Sequence, residues 1–291
     1  MLDCIIVGSG VAGISAALTL KANAKEFLLF GQSDLSEKIG KAEEIRNYPG
    51  LSNVSGQAFV QALQRQLDET EITVTQERVM NVYALGGKFG VATQEGGYYE
   101  SKTVILCGGV ENVKALDGEV EFLGRGVSYC ATCDGFLYKG KTIAVLCTSK
   151  RLEHEVDLLA DFAEKVYLIA LYKEVAKQKD NVTLLKKMPL KIEGDKRVER
   201  LVFNTPVTET GETALTVDGV FALRDSAPPN VLLGGIETLG GHVAVDRQMQ
   251  TNIVGCFAAG DCTGKPYQYA KAVGEGNVAA HGVCEYLRLK K

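Results

Sequence analysis

The segment Cys130-Ala131-Thr132-Cys133-Asp134-Gly135 places two cysteines three residues apart, with a carboxylate directly after the second. A Cys-x-x-Cys pair at the start of a helix is the smallest unit that can cycle between disulfide and dithiol. The helix N-terminus stabilises a thiolate, and the second sulfur is close enough to resolve a mixed disulfide. Asp134 is placed to give or take the proton that each cycle needs. The other uses of such a pair are half of a zinc site or two unrelated buried cysteines. Zinc would need a second ligand pair, and the chain has no other Cys-x-x-Cys and no closely spaced histidine pair.

A second set of residues has the spacing of a phosphate cradle. Gly8-Ser9-Gly10-Val11-Ala12-Gly13 follows the apolar run Cys4 to Val7 and precedes a helical pattern from Ile14 to Ala22, with a second strand from Glu26 to Phe30. A G-x-G-x-x-G turn in that setting binds dinucleotides, because bare backbone approaches a pyrophosphate seated on the helix N-terminus. The second strand ends Phe30-Gly31-Gln32, without the carboxylate that usually holds a ribose. Near the other end of the chain, Thr251 to Asp261 reads as a strand closing on Gly260-Asp261, with Asp261 placed to accept a hydrogen bond from a sugar-like hydroxyl. The helix after it, Tyr269 to Leu287, carries Gly274 and Gly276 for close packing. Its positive end suits a ring that becomes anionic on reduction. The plainer reading of Asp261 is a surface cap of that helix.

These residues need a large scaffold. A chain of 291 residues suffices for two domains with sizeable cores. Hydrophobic content of 46% with a net charge of −4 describes a globular chain without the basic surplus of a nucleic-acid binder. No apolar run approaches the roughly 20 residues of a membrane span. The N-terminus runs straight into an apolar strand and a glycine turn rather than a signal peptide, so the expected compartment is the cytoplasm. Cys4, Cys107, Cys147, Cys256, Cys262 and Cys284 stand singly in apolar stretches and read as small buried hydrophobes of a reducing compartment. After the Pro49-Gly50 turn, residues 56–68 read as an amphipathic helix with Phe59, Val60, Leu63 and Leu67 on one face. Strands are expected at 72–75, 79–85, 88–93 and 103–107, the last returning to the first sheet.

A second strand–helix–strand unit lies beyond the cysteine pair: Thr142 to Cys147, Arg151 to Ala163 and Val166 to Leu171. Its first turn, from Cys147 through Thr148 and Ser149 to Leu152, has no glycine, so Cβ atoms stand where phosphates would need bare backbone. The segment Ala170-Leu171-Tyr172-Lys173 lacks the arginine pair that a 2′-phosphate requires. The unit reads as scaffold stripped of its nucleotide site. Lys173 to Arg200 carries nine basic and five acidic residues, either a solvated surface or a docking face for an acidic partner. Asp218 to Leu223 and Val231 to Leu233 are read as completing this middle domain, with Pro228-Pro229 as a rigid linker.

The order Gly8 to Gly13, Asn47-Tyr48-Pro49-Gly50, Cys130 to Asp134, Phe257-Ala258-Ala259-Gly260-Asp261 and Gln268 resembles the low-molecular-weight thioredoxin reductases over nearly the whole chain. The resemblance implies an α/β fold of two Rossmann-like, three-layer ββα domains of the FAD/NAD(P)-linked disulfide reductase type. An FAD domain would be built from residues 1–111 and 236–291. An inserted module, residues 112–235, would carry the disulfide, and the protein would be a homodimer. By the same resemblance, Cys133 faces the flavin, Cys130 attacks thioredoxin and Asp134 donates the proton. Gly8, Ser9, Gly10, Ala12 and Gly13 lie along the FAD pyrophosphate. Asn47, Gly260, Asp261 and Gln268 hold the flavin and ribityl portion, and Gly31, Ile39, Val79, Gly108 and Tyr269 complete the cofactor set; no metal is expected.

One site of that family is missing. Its NADPH site uses a Gly-rich turn and a His-Arg-Arg motif, where this chain has Cys147-Thr148-Ser149 and Ala170-Leu171-Tyr172. Tyr267 stands in place of the arginine before Gln268. The pattern is similar to the pyridine-nucleotide-independent, ferredoxin-linked flavin thioredoxin reductases. It implies that reduced ferredoxin supplies electrons singly to FAD, which passes them as a pair to Cys130–Cys133 and on to thioredoxin. The alternatives are an NADPH-dependent reductase with an altered nucleotide site and a non-catalytic redox-sensing flavoprotein. A disulfide serving both a buried flavin and a bulky protein also implies rotation of the inserted domain on linkers near residues 110–114 and 228–236.

Overall fold

The computed structural model describes residues 1–110, 115–207, 211–224 and 229–290. It separates into two compact units, Met1–Val110 with Ser226–Lys291, and Glu111–Asp225.

The first unit opens with β1 (Leu2–Val7), α1 (Val11–Ala22), β2 (Phe27–Phe30), α2 (Glu37–Gly40), α3 (Gly56–Glu69) and β3 (Val74–Thr75). A meander follows: β4 (Val79–Ala84), β5 (Phe89–Thr93) and β6 (Tyr98–Leu106). Parallel pairing sets β1 between β2 and β6, and β3 outside β2. α3 forms where the apolar period predicts: Ser55 Oγ caps it by accepting from Ala58 N, and Phe59, Leu63 and Leu67 are buried. β6 starts earlier than residue 103. Its polar first half, from Tyr98, pairs antiparallel with β5, while its apolar second half pairs parallel with β1. A half-solvated antiparallel ribbon needs no continuous apolar run, so its residues do not announce themselves.

The second unit contains β7 (Val127–Ser128), α4 (Ala131–Asp134), β8 (Thr142–Cys147), α5 (Glu153–Phe162), β9 (Lys165–Ala170), β10 (Val182–Leu184), β11 (Pro189–Gly194), β12 (Val198–Phe203), β13 (Ala214–Thr216) and β14 (Gly219–Leu223). A parallel sheet runs β10-β9-β8-β14-β7. Successive residues of β8 serve opposite faces. Val145 shares a core with Val156 and Leu159 of α5, while Leu146 shares another with Ile192 and Leu201 of the β11-β12-β13 ribbon. The basic stretch from Lys173 thus spans β10, β11 and part of β12 and is largely solvated, with Lys179–Asp161 and Arg200–Glu193 among its ion pairs.

The chain then returns to the first unit through α6 (Pro229–Leu232), β15 (Thr238–Leu239), β16 (His242–Val243), β17 (Cys256–Ala258) and α7 (Tyr269–Leu289). Two expectations need correction. Val231 to Leu233 do not complete the middle domain: Leu232, Leu233 and Ile236 fill the first unit's core, and Leu233 bridges Val82 of β4. The return to the first unit therefore comes before residue 236. The strand expected from Thr251 shrinks to Cys256–Ala258, because Thr251 Oγ1 accepts from Ile253 N at 3.1 Å and donates to Cys256 O at 3.0 Å, closing a turn. Of the expected linkers, residues 111–114 and 228 lie outside the described residues, and 229–232 are helical.

β17 pairs in parallel with the C-terminal half of β6. α7 packs on α1 so closely that a Cβ at Gly276 would stand 2.1 Å from the Ala12 carbonyl oxygen. α1 is consequently buried nearly all round, through Val11, Ala12, Ile14, Ala16, Ala17 and Leu20. Among the described residues no helix is long and apolar enough to cross a membrane.

Candidate active site

The C-terminal ends of four adjacent parallel strands are level: Phe30 pairs with Val7, Val7 with Leu106, and Leu106 with Ala258. The segments that follow, at Gly31, Gly8, Gly108 and Gly260, therefore leave one edge of the sheet. That edge is where open α/β sheets bind ligands. Gly8 has φ +116°, and a Cβ there would lie 2.3 Å from the Cys107 oxygen, so only glycine lets the two turns touch. Gly13 backs onto Gly8, and Gly260 meets the methyl of Ala12. Ser9 is buried; its hydroxyl donates to Leu35 O at 2.8 Å and accepts from Gln32 N at 3.0 Å. That hydroxyl is committed to the protein, which leaves the Ser9 backbone to meet a phosphate.

Two observations test whether these residues fit a dinucleotide. Gly10 is the N-cap of α1 with no side-chain cap, and a Cβ there would meet nothing within 4 Å. Open space thus faces the orphan N–H groups of a helix start, which is an anion cradle. Asp261 makes no side-chain hydrogen bond among the described residues, and burial raises its carboxyl above the ordinary range against the pull of Lys271 and Lys38. A half-buried carboxylate of this kind is suited to sugar hydroxyls. It does not cap α7, whose N-cap is Gln268. Both observations fit FAD.

Gln268 Oε1 accepts a hydrogen bond from Asn47 Nδ2, 221 positions away, so two expected cofactor residues do meet. Tyr269 packs edge-on against Phe59 with ring centroids 5.8 Å apart. Ile39 is buried in the same core as Phe59, and Val79 packs into the core on the other face of the sheet. Tyr267 hydrogen-bonds His242 Nε2 at 2.7 Å. Sequence reasoning missed Lys271 and Glu275, which shape the Gly260–Gly264 turn. Lys271 Nζ donates to the oxygens of Gly260 and Gly264, while Glu275 accepts from Gly260 N at 2.9 Å and Thr263 Oγ1 at 2.8 Å. The available signal was a Lys–Glu pair four apart on the helix after a Gly-Asp turn.

In the second unit, Cys130 and Cys133 are joined with an S–S distance of 2.02 Å. The wholly buried Ala131 belongs to the core beneath α5, and Gly135 sits against Leu159 and Phe162, which seats the single-turn α4. Cys130 is the N-cap: its Sγ accepts from Cys133 N at 3.1 Å and lies 3.4 Å from Thr132 Oγ1. These contacts favour the thiolate of Cys130. Exposure favours the other sulfur, since Cys130 is buried and Cys133 is exposed. Asp134 Oδ2 accepts from Ser128 Oγ at 2.7 Å. Ser128, on β7, escaped the sequence reading; its signal was a polar residue in an apolar approach to the cysteines. Phe136 and Leu137, just beyond Asp134, are 61% and 54% exposed, an apolar patch beside the disulfide.

The glycine-free turn after β8 leads into a helix start that carries acidic side chains. Glu153 and Glu155 occupy the first turn of α5, where a phosphate would seek the positive helix end. Glu153 Oε1 accepts from Tyr172 OH and from Ala176 N, each at 2.9 Å, so a carboxylate and a phenol are joined at this helix end.

The other cysteines are free, and all but Cys284 are buried. Burial pushes Cys4, Cys256 and Cys262 up to about 12 and Cys147 up to about 11, and it raises Cys107 and Cys284 as well. With the disulfide closed, native protein near pH 8 should therefore show at most one readily alkylated thiol, Cys284, and all six after denaturation. Mass-spectrometric counting of labels checks this; two or more fast native labels would contradict it.

Comparison with known proteins agrees with this geometry. The family described as pyridine nucleotide-disulphide oxidoreductase matches residues 2–276. A thioredoxin reductase of Helicobacter pylori is 34% identical, with 99% of each chain covered. Two ferredoxin-flavin thioredoxin reductase structures from Clostridium acetobutylicum are 44% and 39% identical, with TM-scores of 0.87 and 0.89, each covering 99% of this chain and 98% of the other. The chain belongs to the pyridine nucleotide-disulphide oxidoreductase family, among its thioredoxin reductases.

Proposed function

We propose that the chain is an FAD-dependent thioredoxin reductase whose electron donor is reduced ferredoxin. Thioredoxin reduction itself rests on family membership and on the closed Cys130–Cys133 pair. The observation that supports the choice of donor is the start of α5, where Glu153, bonded to Tyr172, puts a carboxylate at the helix end to which a pyridine nucleotide's phosphates would bind. The two Clostridium acetobutylicum structures with ferredoxin and flavin in their names support the same choice.

FAD would be held by the backbone of Gly8, Ser9 and Gly10 at its pyrophosphate, with Ala12, Gly13, Gly31 and Gly108 around them. Asp261 would take its sugar-like hydroxyls, and Asn47 and Gln268 would order its ring end. When bound, it supplies the ability to accept electrons one at a time and release them as a pair. The rest belongs to the chain. Cys130 and Cys133 store the pair as a dithiol, the α4 N-terminus stabilises the Cys130 thiolate, and Asp134 carries the proton. The apolar patch at Phe136 and Leu137 suits a protein substrate that docks beside the disulfide. A homodimer in the cytoplasm completes the reading, on the family likeness and the unpaired cysteines.

The deciding experiment mixes purified protein anaerobically with NADPH, NADH or reduced ferredoxin and follows flavin absorbance and thioredoxin thiols. Reduced ferredoxin should bleach the flavin and reduce thioredoxin, and neither pyridine nucleotide should do so. Rapid bleaching by NADPH would overturn the donor assignment while leaving thioredoxin reduction intact.

A further inference from the structure

We infer that Ser128 is a positioning residue for the proton used in sulfur exchange, built to hold Asp134 in either protonation state. The inference rests on the reading of Asp134 as the proton donor. Ser128 is 3% exposed and sits on β7, in register with Phe221 of β14. The sheet thus anchors its hydroxyl, whereas α4 is a single turn. Around Oγ lie Asp134 Oδ2 at 2.7 Å, Cys130 N at 3.1 Å and Cys130 O at 3.2 Å.

A hydroxyl has one hydrogen to give and two lone pairs to accept with. Against the Asp134 carboxylate, the Ser128 hydrogen points to Oδ2 while Cys130 N–H donates to Oγ. Against the neutral carboxyl, the Asp134 hydrogen donates to Oγ, and the Ser128 hydrogen turns to the Cys130 carbonyl. Cys130 O also accepts from Asp134 N at 3.3 Å, so every group is satisfied in both states, and the carboxyl can lose and regain a proton without leaving Ser128.

The exchange it serves balances as follows. The Cys130 thiolate attacks one thioredoxin sulfur, forming an interprotein S–S bond and breaking thioredoxin's own. Asp134 protonates the departing thiolate and then removes the proton from Cys133. The Cys133 thiolate attacks Cys130 sulfur, closing Cys130–Cys133, and the second thioredoxin thiolate takes the proton back from Asp134. Two electrons and two protons pass to thioredoxin, and the enzyme is left as its disulfide.

The test uses reduced holoenzyme in single turnovers, read at release of the first leaving thiolate before Cys133 is needed, against two substrates: thioredoxin disulfide, whose leaving thiolate needs a proton, and an aromatic nitrobenzoate disulfide, whose leaving thiolate does not. Ser128→Ala should slow the thioredoxin reaction about tenfold or more and leave the aromatic one within about twofold. Ser128→Thr should restore the rate. Asp134→Asn should be slow with thioredoxin, and Ser128→Ala added to it should slow it no further. Equal losses on both substrates, or a fast Ser128→Ala beside a slow Asp134→Asn, would overturn the proposal. A fast Asp134→Asn would instead remove the reading it rests on. Ser128→Gly deletes the same hydroxyl and carries the same comparison if the alanine variant folds poorly.

Discussion

Replacing Cys133 with serine should abolish turnover and leave thioredoxin covalently attached to the enzyme. The thiolate-stabilising contacts belong to Cys130, through Cys133 N–H at 3.1 Å and the nearby Thr132 hydroxyl. In Cys133→Ser, Cys130 can still open the thioredoxin disulfide, but no second sulfur remains to release it. Multiple-turnover thioredoxin reduction should fall by on the order of 10³-fold or more. A reductant-sensitive adduct of one thioredoxin per chain should appear on a non-reducing gel. Cys130→Ser should be equally inactive and form no adduct, although Cys133 is the exposed sulfur. An adduct with Cys130→Ser and none with Cys133→Ser would exchange the two roles and show that exposure outweighs the helix terminus here.

Removing Arg224 should be the costliest single change to the stability of the second unit. Its Nη2 donates to both carboxylate oxygens of Glu119 at 2.9 and 2.8 Å, and both side chains are almost wholly out of solvent. Glu119 also accepts from Tyr129 OH and from Leu116 N, each at 2.8 Å. Burial and this neighbouring carboxylate hold the Tyr129 phenol well above its usual range, so it remains a donor. Arg224→Met strips the carboxylate of its charge partner inside the protein, at a cost of about 3–5 kcal/mol. For a unit of this size that lowers the unfolding midpoint by roughly 10 °C or more. Glu119→Leu combined with Arg224→Met should recover most of the loss, since both charges then go. Thermal unfolding followed by circular dichroism would check it. A single variant within a degree or two of wild type would show that the pair contributes little.

The parts of this architecture legible beforehand were those written in local periodicity. The strand, glycine turn and helix at the chain start, the amphipathic face of α3 and the cysteine pair at a helix start each follow from neighbours within a few positions. What stayed hidden depends on distant partners. Leu232 and Leu233 are apolar whichever core receives them, and the adjacent prolines suggested a linker instead. Glu119 and Arg224 lie 105 positions apart, and nothing near either one names the other. Asn47 and Gln268 were singled out only through family likeness. Ser128 carries no motif of its own, since its work depends on strand register and on where a one-turn helix aims a carboxylate.

The joining of β17 to β6, and of α7 to α1, orders events during synthesis. The insert, Glu111–Asp225, is continuous and can collapse as soon as it leaves the ribosome. The flanking unit cannot, because until the final segment emerges β6 keeps a bare edge and α1 an uncovered apolar side. Capture of FAD should therefore wait for the last helix, so the redox-active sulfurs are housed before the cofactor that is to serve them.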